Sequence, residues 1–179
     1  MPDFFAVVKG RRAVRKFKKK EVPLKLIEKI IEAGTWAPSA VNTQPWEFIL
    51  VRNKELKRKV RAIYDEASST SSLYKQETEF IENATLLIIL SDSEKILHLF
   101  STSAAIENIL LAATASGLGS VWVCRPLRVE KTLNELRVLF NIPSKYEVVG
   151  IIALGYPDEK PKPKERKPLK EILHFEKFN

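Results

Sequence analysis

Two short segments hold residue types that could work on one ligand. Arg11-Arg12-Ala13-Val14-Arg15 packs three guanidinium groups into five residues. At that density a doubly charged phosphate can be held by forked, charge-assisted hydrogen bonds. Ala37-Pro38-Ser39-Ala40-Val41-Asn42-Thr43-Gln44-Pro45-Trp46 is a run of small and amide-bearing residues, suited to hydrogen-bonding a planar heterocycle. Each has an ordinary reading when taken alone. The first could be a solvated basic turn, and the second a loop in which Ala-Pro-Ser and Asn-Thr-Gln-Pro are common turn chemistry.

Other chemistries leave little trace. The single cysteine, Cys124, excludes an intrachain disulfide and fits a reducing cytoplasm. His98 and His174 are far apart in sequence and suggest no metal cluster, and neither a catalytic triad nor a carboxylate pair is visible. The net charge of +8 falls mainly in two blocks, Arg11 to Lys20 and Lys160 to Lys170. No aromatic stacking pattern lies between them, so solvated faces and phosphate-bearing ligands explain the charge better than nucleic acid does. Asp3, Lys9 and Arg11 interrupt the only stretch resembling a signal peptide, and the apolar run Leu86 to Leu90 is far too short to span a bilayer. A cytoplasmic protein without membrane partners is expected.

The surrounding elements follow from periodicity. Phe4 to Gly10 predicts a short helix ahead of the arginines. Pro23 suits the first turn of a second helix, with Leu24, Ile27, Ile30 and Ile31 at helical spacing up to Gly34. Pro38 and Pro45 keep the next segment from being helical, and Trp46 to Val51 reads as a strand. Asn53 to Ala67 predicts a polar helix, Ser68 to Ser72 a serine-rich break, and a short helical pattern then precedes the buried strand. Glu94 to Ser116 predicts the longest helix, apolar almost all round from Ala104 to Ala113. Such a helix must be covered on every face, which one small sheet cannot do, so a partner subunit is expected. Gly117-Leu118-Gly119 ends that helix and leads to a strand through Val123. A helix over Val129 to Phe140 and a β-branched strand over Tyr146 to Gly155 complete the pattern. From Pro157 the chain is polar, with Leu169, Ile172, Leu173, Phe175 and Phe178 as apolar anchors, which suits an arm over residues 157–179 reaching across a neighbour. Alternating strands and helices without a repeat or an internal boundary predict one α+β domain over 1–179, of the three-layer α/β type.

The arginine segment and the Pro38–Trp46 segment, at this spacing, resemble the signature of the nitroreductase family. Gly117-Leu118-Gly119-Ser120-Val121-Trp122 and the Lys164-Glu165-Arg166-Lys167-Pro168-Leu169 tail extend the resemblance over most of the chain. It implies a central, mostly antiparallel sheet flanked by helices, a C-terminal arm exchanged across a homodimer, and FMN at the seam. It further implies an enzyme that takes electrons from NADH or NADPH by a ping-pong mechanism and passes them to a small acceptor such as a nitroaromatic, a quinone or a flavin.

Site roles follow only at matching positions. Arg11 would meet the FMN phosphate and Arg15 the pyrimidine edge, where a fixed cation favours the reduced, negatively charged ring. Arg12 and the backbone of Ala13 would touch the cofactor as well; Ala13 stands where the family often has serine. Pro38, Ser39, Asn42 and Gln44 match the segment contributed by the other subunit. Cys124 and Arg125 match a loop whose backbone faces N5 of the flavin, and Arg166, with Lys164 as the weaker match, would return to the phosphate. Neither a catalytic side chain nor a metal is implied, because N5 carries the chemistry. Gln76 to Glu82 offers no clean match to the family's Asn and Lys before the central strand. The tail is also similar to the iodotyrosine deiodinase branch, but Thr78 stands where that branch has a lid lysine, and the lid over Ser68 to Tyr74 is short. Reductive dehalogenation and non-catalytic flavin binding are the alternatives.

Overall fold

The structure, a computed structural model, describes residues 3–69 and 78–178. Four strands form one antiparallel sheet in the order β1-β2-β4-β3, with β1 at Trp46–Val51, β2 at Thr85–Asp92, β3 at Gly119–Val123 and β4 at Tyr146–Gly155. The two central strands are β2 and β4. Every residue of β2 is buried, as a strand covered on both faces must be. Its side chains alternate between two cores. Leu86, Ile88 and Leu90 pack with Ile63, Tyr64 and Leu136, beneath helices α3 (Lys54–Ser69) and α6 (Glu130–Leu139). Leu87 and Ile89 face Ile27, Ile30, Ile106 and Ile109, from helices α2 (Leu24–Thr35) and α5 (His98–Ala115). The result is the expected three-layer α+β arrangement, with α1 (Phe4–Gly10) and the short α4 (Phe80–Asn83) at its margins.

Two helix boundaries depart from expectation. The long helix begins at His98 rather than Glu94. Asp92 takes over the intervening residues: its carboxylate accepts from Glu94 N–H at 3.1 Å, its carbonyl accepts from Lys95 N–H at 3.1 Å, and Leu97 turns left-handed at φ 51°. Local bonding of this Asx type competes with helix. Conversely, Ser68 and Ser69 do not open a break. They close α3, each hydroxyl donating back to a helix carbonyl, Tyr64 and Glu66 respectively, at 2.7 Å. The rest of the expected Ser68 to Tyr74 lid lies outside the described residues.

The glycine pair after α5 has two separate uses. Gly117, at φ 74°, supplies the left-handed turn that stops the helix. Gly119 lets another segment come close, because a Cβ there would lie 2.8 Å from the side chain of Val14. That contact positions the arginine segment.

Candidate functional site

The arginine segment is held as a short extended stretch against the free edge of β3. Ala13 pairs with Ser120 in a parallel bridge, and Val14 N–H donates to the Ser120 carbonyl at 3.0 Å. Farther along, Phe17 pairs with Pro157, and Lys18 N–H donates to the Tyr156 carbonyl at 2.9 Å. The Glu159 carboxylate accepts from the backbone N–H groups of Arg15 and Lys16 at 2.5 and 3.0 Å. The backbone carrying Arg15 is therefore fixed by β3 on one side and by the start of the C-terminal tail on the other.

The three guanidinium groups point to different tasks. Arg11 Nε meets the Glu107 carboxylate of α5 at 3.2 Å, which leaves the two Nη groups to a further anion. Arg12 Nη1 donates to the carbonyls of Lys9 and Arg11 at 2.6 and 2.7 Å, so its charge sits on the C-terminal end of α1. Arg15 is the unusual one: its Nε is buried and has no hydrogen-bond partner, and the buried Ser120 Oγ on the adjoining strand has none either. An orphaned buried donor costs about 1–3 kcal/mol. Two orphaned polar atoms on neighbouring segments are what a heterocycle rich in carbonyl and ring-nitrogen groups would satisfy. Sequence reasoning passed over Ser120, treating its motif as a helix stop. The available signal was a hydroxyl at a strand position flanked by buried residues.

The second segment is strained in its backbone. Val41, Asn42 and Gln44 all have positive φ, at 52°, 53° and 46°. For a β-branched residue such as Val41 this is a true outlier, and such conformations cost about 1–3 kcal/mol each, persisting only where the surroundings impose them. Here a 3₁₀ turn over Ala40–Asn42 is clamped on both sides. Ser39 Oγ accepts from Gln44 N–H at 3.0 Å, and Ser101 Oγ of α5 accepts from Ala40 N–H at 3.3 Å. Thr43 Oγ1 is a third buried polar atom without a partner. Pro38, Asn42 and Gln44 are exposed, and Val41 and nearby Trp36 remain 88% and 82% accessible.

Within one chain these two segments do not meet. The arginine segment lies outside β3, whereas residues 38–44 feed into β1 on the opposite edge. Four inter-strand spacings separate them, about 19 Å across the sheet. Helix α5 links them indirectly. Ser101 holds the loop and Glu107 holds Arg11, six residues or about 9 Å farther along the axis.

The remaining candidates lie at the far end of β3 and in the tail. Cys124 is exposed, with Sγ 3.8 Å from the Val149 carbonyl, and desolvation around the thiol raises its pKa. That keeps the sulfur protonated and argues against a nucleophilic role. Arg125 donates to Ser68 Oγ at 2.9 Å, and its guanidinium lies 5.4 Å from the Tyr64 ring centre. Lys164 and Arg166 are exposed, and Arg166 Nη1 donates to the carbonyls of Glu165 and Lys164 at 3.2 and 3.5 Å. Thr78 is buried with its hydroxyl accepting from Arg61 Nε at 3.1 Å, while Arg61 Nη1 holds Glu82 at 2.7 Å. Among the described residues no group of three potential metal ligands converges, and no helix is long and apolar enough to cross a membrane.

Comparison with known proteins identifies the family and the fold. The model of the nitroreductase family matches residues 8–156. The chain is 38% identical to a putative NADH dehydrogenase/NAD(P)H nitroreductase of Methanothermobacter thermautotrophicus, over 89% of this chain and 80% of that protein. Among solved structures, it is similar to an oxidised iodotyrosine deiodinase bound to FMN and 3-iodo-L-tyrosine, with a TM-score of 0.89 and 27% identity over 98% of this chain and all of that one. An FMN-dependent nitroreductase of Clostridium difficile R20291 matches with a TM-score of 0.82 and 29% identity, over 97% of this chain and 99% of that chain.

Proposed function

The chain belongs to the nitroreductase family, and from that premise we propose that it is a cytoplasmic, homodimeric, FMN-dependent NAD(P)H oxidoreductase. Electrons from NADH or NADPH would pass in ping-pong fashion to a small acceptor: a nitroaromatic, a quinone or a flavin. The observation that carries this reading is the pair of buried, unpartnered polar atoms, Arg15 Nε and Ser120 Oγ, on the arginine segment and on the strand β3 that its Ala13 bridges. They fit the polar rim of a flavin. Bound there, FMN would supply the hydride-accepting and hydride-donating centre at N5.

The protein's own residues bind, orient and tune. Arg11 offers its Nη groups to the phosphate while Glu107 fixes its Nε. Arg15 sets a positive charge against the pyrimidine edge and favours the reduced ring. The wide separation of the Ser39, Asn42 and Gln44 loop from the arginine segment supports a site completed by a second copy, as does the exposure of Trp36, Val41 and Phe100, the last at 76%. Two-fold symmetry would then give two equivalent sites. In that dimer the arm over 157–179 would cross to the neighbour, and Arg166, with Lys164 as the weaker candidate, would reach the phosphate from it. Cys124 and Arg125 would offer backbone near N5, with Pro38 and the backbone of Ala13 lining the pocket, and Arg12 contributing from the end of α1.

Purified protein should be yellow, with about one FMN per chain, and should bleach anaerobically with NADH or NADPH. A colourless protein that takes up no FMN would refute the proposal. The likeness to the FMN-bound deiodinase favours a second reading, reductive dehalogenation. Thr78 weighs against it, because the hydroxyl at that position is engaged with Arg61 and offers no ammonium to a zwitterionic substrate. Iodide release from 3-iodo-L-tyrosine by the reduced protein would establish that second reading over the first.

A further inference from the structure

A second cationic site lies apart from the arginine segment, where β1 ends, β2 begins and β4 ends. It is a cleft of about 390 Å³, within the size range of small-molecule sites. Its walls bring together Lys19, Lys20, Arg52, Lys54, Lys57 and Arg58. Among the described residues the carboxylates on those walls are Glu21 and Glu82, so cations there outnumber anions six to two. Both carboxylates are already engaged, Glu21 with Arg52 at 2.9 Å and Glu82 with Arg61 at 2.7 Å and Arg58 at 3.8 Å. Among the described residues Lys19 and Lys54 form no ion pair.

The cations are arranged as well as numerous. Lys54, Lys57 and Arg58 stand at i, i+3 and i+4 in the first turns of α3, on one face of the helix. The positive end of the helix dipole adds to the field there. Lys57 is the fixed member. Its Nζ donates to the carbonyls of Glu82 and Ala84 at 2.5 and 2.9 Å, which uses two of its three N–H donors and leaves the third. Burial lowers the Lys57 pKa, against the opposing pull of Glu21 and Glu82, and an anion in the cleft would offset that desolvation. Lys20 is steadied from the side, its Nζ lying 4.4 Å from the centre of the Tyr156 ring.

We propose that this cleft binds a multiply charged phosphoryl anion, at a site distinct from the one that would hold the flavin phosphate. The recognising chemistry is one ammonium held by main-chain carbonyls, flanked by exposed lysines and a helix N-terminus. Two sources carry such a group: a free phosphorylated small molecule, or the phosphates of a dinucleotide electron donor.

The test is calorimetric titration with inorganic pyrophosphate at low ionic strength, with FMN present in excess. Wild-type protein, a Lys19→Glu/Lys54→Glu variant, a milder Lys19→Gln/Lys54→Gln variant and Arg11→Ala are compared. One saturable site per chain is expected, weakened about tenfold for each lysine whose charge-assisted contact is lost. The site should also weaken with added salt as screening sets in. Arg11→Ala should leave pyrophosphate affinity unchanged. Absence of saturable binding, equal affinity in both double variants and wild type, or a loss confined to Arg11→Ala would overturn the proposal, the last by placing the anion in the arginine segment. The KM values for NADH and NADPH in the glutamine variant then assign the source. A rise alongside weakened pyrophosphate binding assigns the donor's phosphates, and unchanged values alongside the same weakening assign a free anion. Flavin content is measured separately, so loss of the cleft is distinguishable from failure of the flavin reading.

Discussion

Arg15→Gln gives the sharpest test of how the protein would tune its cofactor. The Arg15 backbone is held by the Glu159 carboxylate, and Val14 beside it is bonded to Ser120, so the substitution leaves the segment in place. What changes is the charge on a side chain whose buried Nε lacks a partner within the chain. A hydrogen bond to a charged group contributes about 1.5–3 kcal/mol and one between neutral groups about 1 kcal/mol. Arg15 should therefore favour the reduced ring over the oxidised ring by roughly 0.5–2 kcal/mol. For a two-electron couple that corresponds to about 10–45 mV. In a spectroelectrochemical titration, Arg15→Gln should lower the midpoint potential by this amount while oxidised FMN stays largely bound. Arg15→Lys, which keeps the charge, should recover most of the shift. An unchanged potential in Arg15→Gln would place the guanidinium away from the pyrimidine edge, and an equal loss of affinity for both redox states would make Arg15 a binding group rather than a tuning one.

Three further outcomes follow from the same geometry. Arg11→Ala or Arg166→Ala should weaken FMN binding about tenfold or more, by loss of a charge-assisted contact, and weaken riboflavin binding less; equal losses for both flavins in fluorescence titrations would remove the phosphate assignment. The half-exposed Arg11–Glu107 pair adds little to folding on its own, so thermal stability should barely move in that variant. Gly119→Ala puts a Cβ 2.8 Å from Val14, an overpacking of about 1–3 kcal/mol that should push the arginine segment off β3; calorimetry and flavin content should fall together, and retention of full flavin content would show that the contact is dispensable. Truncation after Pro157 should lower dimer stability and flavin content in parallel, and light scattering that finds a monomer holding stoichiometric FMN would refute a shared site.

Elements whose apolar pattern is set locally were legible from the sequence. The strands Trp46–Val51 and Tyr146–Gly155 and the helix Phe4–Gly10 have the bounds their residues predict. The misreadings arose where side chains bond to nearby backbone. Asp92 diverts residues that are helical by composition, and Ser68 and Ser69 prolong a helix that serine would ordinarily end. Close approaches were also hidden. Gly119 reads as a helix stop because nothing in the sequence says that Val14, more than a hundred residues earlier, will lie against it.

The arginine segment and the Ser39–Gln44 loop were legible as candidates for a different reason: each alone reads as ordinary turn chemistry, but the two together, at this spacing, resemble the nitroreductase signature. What the sequence could not convey is that the fold sets them on opposite edges of one sheet. Each half is prepared at a cost. A buried donor without a partner stands at Arg15, and three positive-φ residues crowd the 41–44 loop. Neither cost is recovered within a single chain. A ligand that satisfied Arg15 Nε and Ser120 Oγ, enclosed by a second chain's strained loop, would recover the first cost and give the second a purpose. The separation across the sheet and the unpaired atoms thus support one and the same arrangement, in which the site belongs to two copies of the chain.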